Sequence, residues 1–396
     1  MRWEKVVAGR AARLAPLPFS DLEGIRDIDD LIFFAGGTPP LDQLPITRLQ
    51  QASADVWEEA EGILYYGESQ GHEPLRRLVA ERMAARGVQT DPEHVLITNG
   101  SQQGLDLIAR TLFDPGDVVV VEGPTYFGAL QAFDAYEVRY RLAPVDGEGQ
   151  IPEELEPLLQ QAPRPKAIYT VPTFQNPTGV TIAPERRQRI VELSLEYNVP
   201  IIEDDPYGEL YFPGNEVPPL RALDPNVVYL GTFSKTLAPA LRMGWMVMPE
   251  ALIPPLVNSK EAVDIQSDRF VQRAVVSASA DGWLDAHLDE ARALYHARCQ
   301  RMLAALEREM PAGTHWITPH GGFFMWVTLP GGIISNLLLP TAGRHGVAYL
   351  PGSAFYPDCR HEPTLRLGFS TLPDEKIDEG IRRLGRATAE VLERQP

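Results

Sequence analysis

The chain has 396 residues, 44% of them hydrophobic and 23% charged, the balance of an ordinary folded protein and not of a disordered one. Its 54 acidic side chains against 36 basic ones give a formal charge of -18, which repels polyanions and argues against nucleic acid as a partner. No run approaches the ~20 apolar residues that span a bilayer, and the start MRWEKVVAGRAARLAP carries no secretory signal, so a cytoplasmic protein away from membranes is expected.

Cys299 and Cys359 lack CxxC spacing and the eight histidines lack any ligand spacing, so neither a disulfide nor a metal is expected. This length suits two or three domains, or one large domain with a smaller companion.

Residues 1 to about 40 are rich in Pro and Arg and show weak periodicity. From about 94 to 250, apolar runs alternate with helical patterns. HVLITNG reads as a strand, followed by the helix SQQGLDLIARTLF with Leu105, Ile108 and Leu112 on one face. The strands DVVVVEGPTY and KAIYTVPTFQNPTG come next, then the helix PERRQRIVELSLEYN with Ile190, Leu193 and Tyr197 in register. VPIIEDDPY, VVYLGTFSK and MGWMVMP close the series. Continuous apolar strands separated by helices predict an α/β fold with a mostly parallel sheet buried on both faces. WLDAHLDEARALYHARCQRMLAALERE, with Leu284, Leu288, Ala291, Tyr295, Met302 and Leu306 at helical spacing, predicts one long helix. After it GGFFMWVTLP, GVAYLPG and TLRLGFS read as strands of a separate α+β unit.

In such sheets ligands collect at the carboxyl ends of the strands. Those ends carry Asn99-Gly100-Ser101-Gln102, Gly123-Pro124-Thr125-Tyr126, Asn176-Pro177-Thr178-Gly179, Asp204-Asp205-Pro206-Tyr207 and Thr232-Phe233-Ser234-Lys235, each more polar than a turn requires. Only five lysines occur, Lys5, Lys166, Lys235, Lys260 and Lys376, and Lys235 follows a strand in a stretch with little charge. A lysine whose ammonium is disfavoured by burial or cationic neighbours becomes a Schiff-base nucleophile. Ser101 opens a helix, either as an ordinary N-cap or with the helix's free amides facing a phosphate, to which Arg242, Thr232 and Ser234 could supply further donors. Asp204 is placed to cap a helix or to hold the proton of a ring nitrogen, and Tyr126 to pack in the core or stack on a heterocycle.

FAGG, TNGSQQGLDL, EGPTYFGALQAF, FQNPTG, EDDPY, GTFSKTLAPALRMGW and LRLGFS stand in this order across nearly the whole chain, from about 13 to 390. Together they resemble the fold-type I pyridoxal-phosphate-dependent aminotransferases of class I/II, in the branch of the α-aminoadipate and kynurenine aminotransferases. The resemblance implies a large domain over 41–282 with a mostly parallel seven-stranded sheet, and a small α+β domain over 283–396. Residues 1–40 would contribute to the small domain and the substrate site.

It also implies roles. Lys235 would link to pyridoxal 5'-phosphate and move the proton between the substrate Cα and the cofactor. Asp204 would hold the ring nitrogen protonated, and Tyr207 and Asn176 would bond the phenolic oxygen. Tyr126 would stack on the ring. Ser101, Gln102, Thr232 and Arg242 would bind the phosphate, with Tyr66 reaching it from the second subunit of a homodimer. Arg366 would clamp the α-carboxylate of both the amino acid and the 2-oxo acid, with Gly37 and Asn176 lining the substrate side. The aminoadipate enzymes carry an arginine where LPFSDL here has Ser20, so the resemblance leaves the donor open: aminoadipate, with Arg13 or Arg26 in place of that arginine, or equally an apolar or aromatic amino acid. Two other readings are a lyase or decarboxylase on the same fold, and a cofactor-binding regulator. The regulator reading needs a DNA-binding domain, for which the ~40 residues before FAGG are too short and the charge is wrong.

Overall fold

Mostly apolar, β-branched runs build the centre of the molecule, with Glu122, Glu203 and Asp204 as buried acids near their carboxyl ends. The structure, a computed structural model, describes residues 1–14, 18, 22, 28–58 and 62–394. Ser20 and Arg26 lie outside these described residues, and Arg13 is exposed. In chain order the strands are β1 (Ile32–Phe33), β2 (Val95–Thr98), β3 (Val118–Gly123), β4 (Arg139–Asp146), β5 (Gly149–Gln150), β6 (Ala167–Thr170), β7 (Ile201–Asp204), β8 (Val228–Thr232) and β9 (Gly244–Val247). After the long helix come β10 (His315–Trp316), β11 (Phe324–Thr328), β12 (Val347–Ala348), β13 (Leu350–Pro351) and β14 (Thr364–Gly368).

The central sheet runs in the order β2-β9-β8-β7-β6-β3-β4-β5. Strands β4, β3, β6, β7 and β8 are parallel to one another, and β9 is antiparallel to both β8 and β2. It has eight strands, one more than the seven expected, because Gly149–Gln150 turns back and pairs with Val145 and Asp146 at the edge. Strand β4 escaped the sequence reading for a related reason. It lies near this edge with most of its residues half-buried or exposed, so it lacks the apolar run that marks its neighbours.

Alternate residues feed two cores. Val119, Val121 and Tyr169 face a layer with Leu105, Ile108 and Phe133, whereas Val120 and Ile168 face one with Ile190, Leu193 and Leu155. The expected helices span Ser101–Leu112, Pro184–Tyr197 and Trp283–Glu309. The second stops where Asn198 adopts a left-handed conformation and its N–H bonds the Leu195 and Ser194 carbonyls. The third is 27 residues long, about 40 Å, and buries the predicted stripe together with Cys299.

A second, four-stranded antiparallel sheet has the order β10-β11-β14-β13. The start of the chain joins this region through β1, which pairs in parallel with β12. One apolar cluster runs through Phe34, Val95, Trp245, Tyr295, Phe323 and Leu367, so both sheets and the long helix share a core. This fixes the Phe324 and Arg366 strands relative to the edge of the large sheet.

Candidate active site

The carboxyl ends of β2, β3, β6, β7 and β8 point to one edge, because the two antiparallel steps across β9 return β2 to the common direction. A cavity of about 400 Å³ opens there. Its lining includes Gly37, Ser101, Gln102, Tyr126, Asn176, Asp204, Tyr207, Thr232, Ser234, Lys235, Arg242 and Arg366. Of the residues given cofactor or substrate roles by the resemblance, Tyr66 alone is not on this lining. It is exposed and lines a separate hollow with Trp57, Arg269 and Phe270.

Lys235 follows β8 and its Nζ donates to the Gly37 carbonyl at 2.9 Å. Burial, and after it the positive charges of Arg366 and Arg242, lower its pKa from 10.5 to about 8. An amine held this way is a nucleophile near neutral pH. Gly37 has to be glycine, because a Cβ there would stand 2.5 Å from the Phe324 ring.

Asp204 ends β7. Its Oδ2 accepts from Tyr169 Oη at 2.9 Å, while Oδ1 is buried without a hydrogen-bond partner among the described residues. Burial raises its pKa to about 7, against the bond from Tyr169, and the negative charge of Asp205 adds to the rise. A buried lone carboxylate oxygen costs free energy unless a donor meets it, and a cationic N–H is the best donor for it.

Arg366 on β14 is buried between two rings, its guanidinium carbon 4.0 Å from the Phe324 centroid and 5.2 Å from that of Phe355. Its Nη1 donates to Asn176 Oδ1 at 2.8 Å and its Nη2 to the Ala35 carbonyl at 2.7 Å. Burial lowers its pKa to about 10, so it stays cationic at neutral pH. Tyr207 stands edge-on to Phe323 and Phe324, and burial raises its hydroxyl pKa well above the usual value. Burial also raises Tyr126, to about 12, so both phenols remain protonated.

The opposite end of the cavity is polar. The Ser101–Leu112 helix begins there with no acid in its first turn. Gly100 has φ +78°, and a Cβ on it would collide with the Arg242 guanidinium. Arg242 itself takes a left-handed φ of +48°, which is uncommon for a residue with a long side chain. This turns its Nη1 to 3.4 Å from Ser234 Oγ and its Nη2 to 3.3 Å from the Asn99 carbonyl. Thr232 Oγ1 donates to Ser234 Oγ at 3.0 Å and accepts from the Ser234 amide at 3.1 Å. Helix amides, hydroxyls and one guanidinium make an anion cup.

The model of the aminotransferase class I and II family matches residues 29–384. The chain belongs to the class I and II aminotransferases. It is 40% identical to an aromatic-amino-acid aminotransferase of Thermococcus litoralis, over 99% of this chain and 96% of that protein. To a 2-aminoadipate transaminase of Thermus thermophilus it is 36% identical, over 99% and 98%. Among solved structures it is similar to a Pyrococcus horikoshii kynurenine aminotransferase, solved with PMP, at 41% identity, a TM-score of 0.94 and 98% coverage of both chains. As a class I and II aminotransferase it uses pyridoxal 5'-phosphate to transfer an amino group between an amino acid and a 2-oxo acid, on the type I fold.

The residues present fit that cofactor. An unpartnered carboxylate oxygen suits a protonated ring nitrogen, a cup of amides and a guanidinium suits a phosphate, and a cavity-lining amine with a lowered pKa suits an aldehyde carbon. Sequence reasoning missed Tyr169, Phe324, Phe355 and Gln131. Tyr169 meets Asp204 only because β6 and β7 are neighbours in parallel register, with Tyr169 opposite Ile202. Phe324 lies two residues from Trp326, the partner of Arg366 across the β11–β14 ladder, and so on the same face of the sheet. No linear spacing carries either relation.

Proposed function

We propose that the cavity holds pyridoxal 5'-phosphate with its phosphate at Ser101, Gln102, Thr232, Ser234 and Arg242, its ring nitrogen at Asp204 Oδ1 and its aldehyde carbon at Lys235 Nζ. When bound, the cofactor supplies an electrophilic carbon for an amine and a conjugated ring that accepts the electron pair released at the substrate Cα. Asp204 keeps a proton on the ring nitrogen, and Tyr169 holds Asp204 in place. Tyr126 covers one face of the ring. Tyr207 and Asn176 bond the phenolic oxygen. Arg366 binds the α-carboxylate of each substrate in turn, and its stack on Phe324 and Phe355 excludes water from that pair. Lys235 Nζ, held beside the site by the Gly37 carbonyl, would carry the proton from the substrate Cα. The single observation behind this assignment is the convergence of a low-pKa lysine, an orphaned carboxylate oxygen and a buried arginine on one cavity.

The donor is an apolar or aromatic L-amino acid, and the acceptor is 2-oxoglutarate or another 2-oxo acid. Lys235, Arg242 and Arg366 are the three cations on the described lining and each already has a role, which disfavours an acidic donor side chain, while Phe127, Phe324 and Gln131 line the same cavity. The chain works as a cytoplasmic homodimer, with a large cofactor domain over 41–282 and a small domain over 283–396 completed by residues 1–40. Support for the dimer comes from Leu64, Tyr65 and Tyr66, consecutive large side chains each more than three-quarters exposed. Arg269 Nη1 holds their loop, donating to the carbonyls of Gly62 at 2.6 Å, Tyr65 at 2.8 Å and Tyr66 at 3.2 Å. Tyr66 so displayed is placed to serve a second copy's phosphate. Free cysteines, one buried and one exposed, agree with a reducing compartment. A panel of amino donors, followed by loss of the cofactor's aldehyde-form absorbance, tests the activity. Phenylalanine, tyrosine or leucine is expected to convert the cofactor and aminoadipate to do so poorly; conversion by no amino acid overturns the assignment.

A further inference from the structure

Behind the anion cup lies a second buried lysine. Lys260, in the Ile253–Asp264 helix, is completely buried and its Nζ donates to Asp264 Oδ1 at 2.6 Å and Oδ2 at 2.8 Å. Burial lowers its pKa, and Asp264 works against that fall. Asp264 is the last residue of the helix, where the macrodipole disfavours a carboxylate. Both placements are costly, and both are resolved by what the carboxylate faces. Asp264 Oδ2 also accepts from Asn99 Nδ2 at 2.7 Å and from Gln103 Nε2 at 2.6 Å.

These two amides bracket the cup. The Asn99 amide donates to Gln103 Oε1 at 2.8 Å, and the Gln103 amide to the Gly100 carbonyl at 3.1 Å. The Asn99 carbonyl in turn accepts from Arg242 at 3.3 Å. Gly100, Ser101 and Gln102 are thus strung between two side chains fixed to a single carboxylate. Charge matters here beyond geometry. A carboxylate can accept from three donors at once, and Lys260 is the cationic one among the three that meet Asp264.

We propose that Lys260 and Asp264 are positioning residues for the cofactor phosphate, fixing the Asn99–Gln103 turn so that its amides and Arg242 converge on one anion. The proposal rests on the assignment of the phosphate to this cup. It makes a prediction that a generally stabilising ion pair does not: loss of Asp264 weakens a ligand with a phosphate and spares one without.

The test uses the full-length chain freed of cofactor, with affinities measured for pyridoxal 5'-phosphate and for pyridoxal. Asp264→Ala is expected to lower the ratio of the two affinities by about tenfold, the size of loss seen when a partner behind a first-contact ligand is removed. Gln103→Leu, which leaves the Lys260–Asp264 pair intact, lowers the ratio in the same direction and serves if the alanine variant does not fold. An unchanged ratio in these variants, with Arg242→Ala lowering it, overturns the positioning role alone. A wild-type chain that binds pyridoxal as tightly as its phosphate, with no effect of Arg242→Ala, overturns the phosphate assignment and the proposal with it.

Discussion

Lys235, half-buried, and Lys260, fully buried, stand beside the same cup, yet the structure treats their charges in opposite ways. Lys260 meets a carboxylate at hydrogen-bond distance on both oxygens, so its ammonium is retained and becomes part of the scaffold. Lys235 meets a carbonyl, with Arg366 and Arg242 as cationic neighbours, and its pKa falls to about 8. Burial lowers the pKa of both; the counter-ion decides which amine is reactive. Asp204, the acid nearest in effect to Lys235, accepts from Tyr169 through one oxygen, while the other is buried without a hydrogen-bond partner among the described residues.

Activity gives the widest separation between the two lysines. Lys235→Ala should abolish reducible attachment of the cofactor and lower kcat by roughly 10³-fold or more, since nucleophile and proton carrier are lost together. Stability reverses the order. Removing Asp264 strands the Lys260 ammonium and should cost about 3–5 kcal/mol, whereas Lys260→Met with Asp264→Asn should recover most of it. Lys235→Met should leave the cofactor-free chain as stable as the parent or more so, read as the denaturant midpoint. If Lys235→Met and Asp264→Ala destabilise equally, the contrast between an unpaired and a paired lysine is lost.

Substrate binding separates Arg366 from both. Arg366→Lys keeps the charge but loses the planar fork, and should raise KM for donor and acceptor alike by roughly 10- to 100-fold, the worth of one or two charged hydrogen bonds. A rise confined to one substrate would move Arg366 to side-chain selection. The smallest effect concerns pH. Between a folded pKa of about 8 and the ordinary 10.5, the folded cofactor-free chain binds fewer protons at Lys235 than the unfolded chain. Its stability should therefore rise with pH through that window, by up to a few kcal/mol, and Lys235→Met should remove the rise. Capture of the cofactor should likewise quicken as pH rises through about 8, because the neutral amine is the nucleophile.

What the sequence made visible follows the same division. Lys235 stands out in the sequence because lysines are scarce and it follows an apolar strand; Asp204, Tyr126 and Ser101 are singled out because strand ends concentrate ligands, and Arg242 because it follows Lys235 by seven residues. Strand β4 was missed because most of its residues are half-buried or exposed, and the added hairpin strand β5 is too short to show a period. Lys260 and Asp264, read alone, are an i,i+4 pair of the kind that decorates helix surfaces. Their burial depends on the Asn99–Gln103 turn, more than 150 residues earlier, so no local pattern could reveal it. The same holds for Tyr169 beside Asp204 and for the rings around Arg366, which require sheet register and the shared core.

Borohydride reduction of the cofactor-loaded protein, followed by mass mapping of its peptides, tests the central claim most directly. With five lysines in the chain, the site can be read without ambiguity. A single pyridoxyl group on the peptide bearing Lys235, absent in Lys235→Ala, is the predicted result. A pyridoxyl group on Lys260 or any other lysine, or retention of the link in Lys235→Ala, would contradict the account.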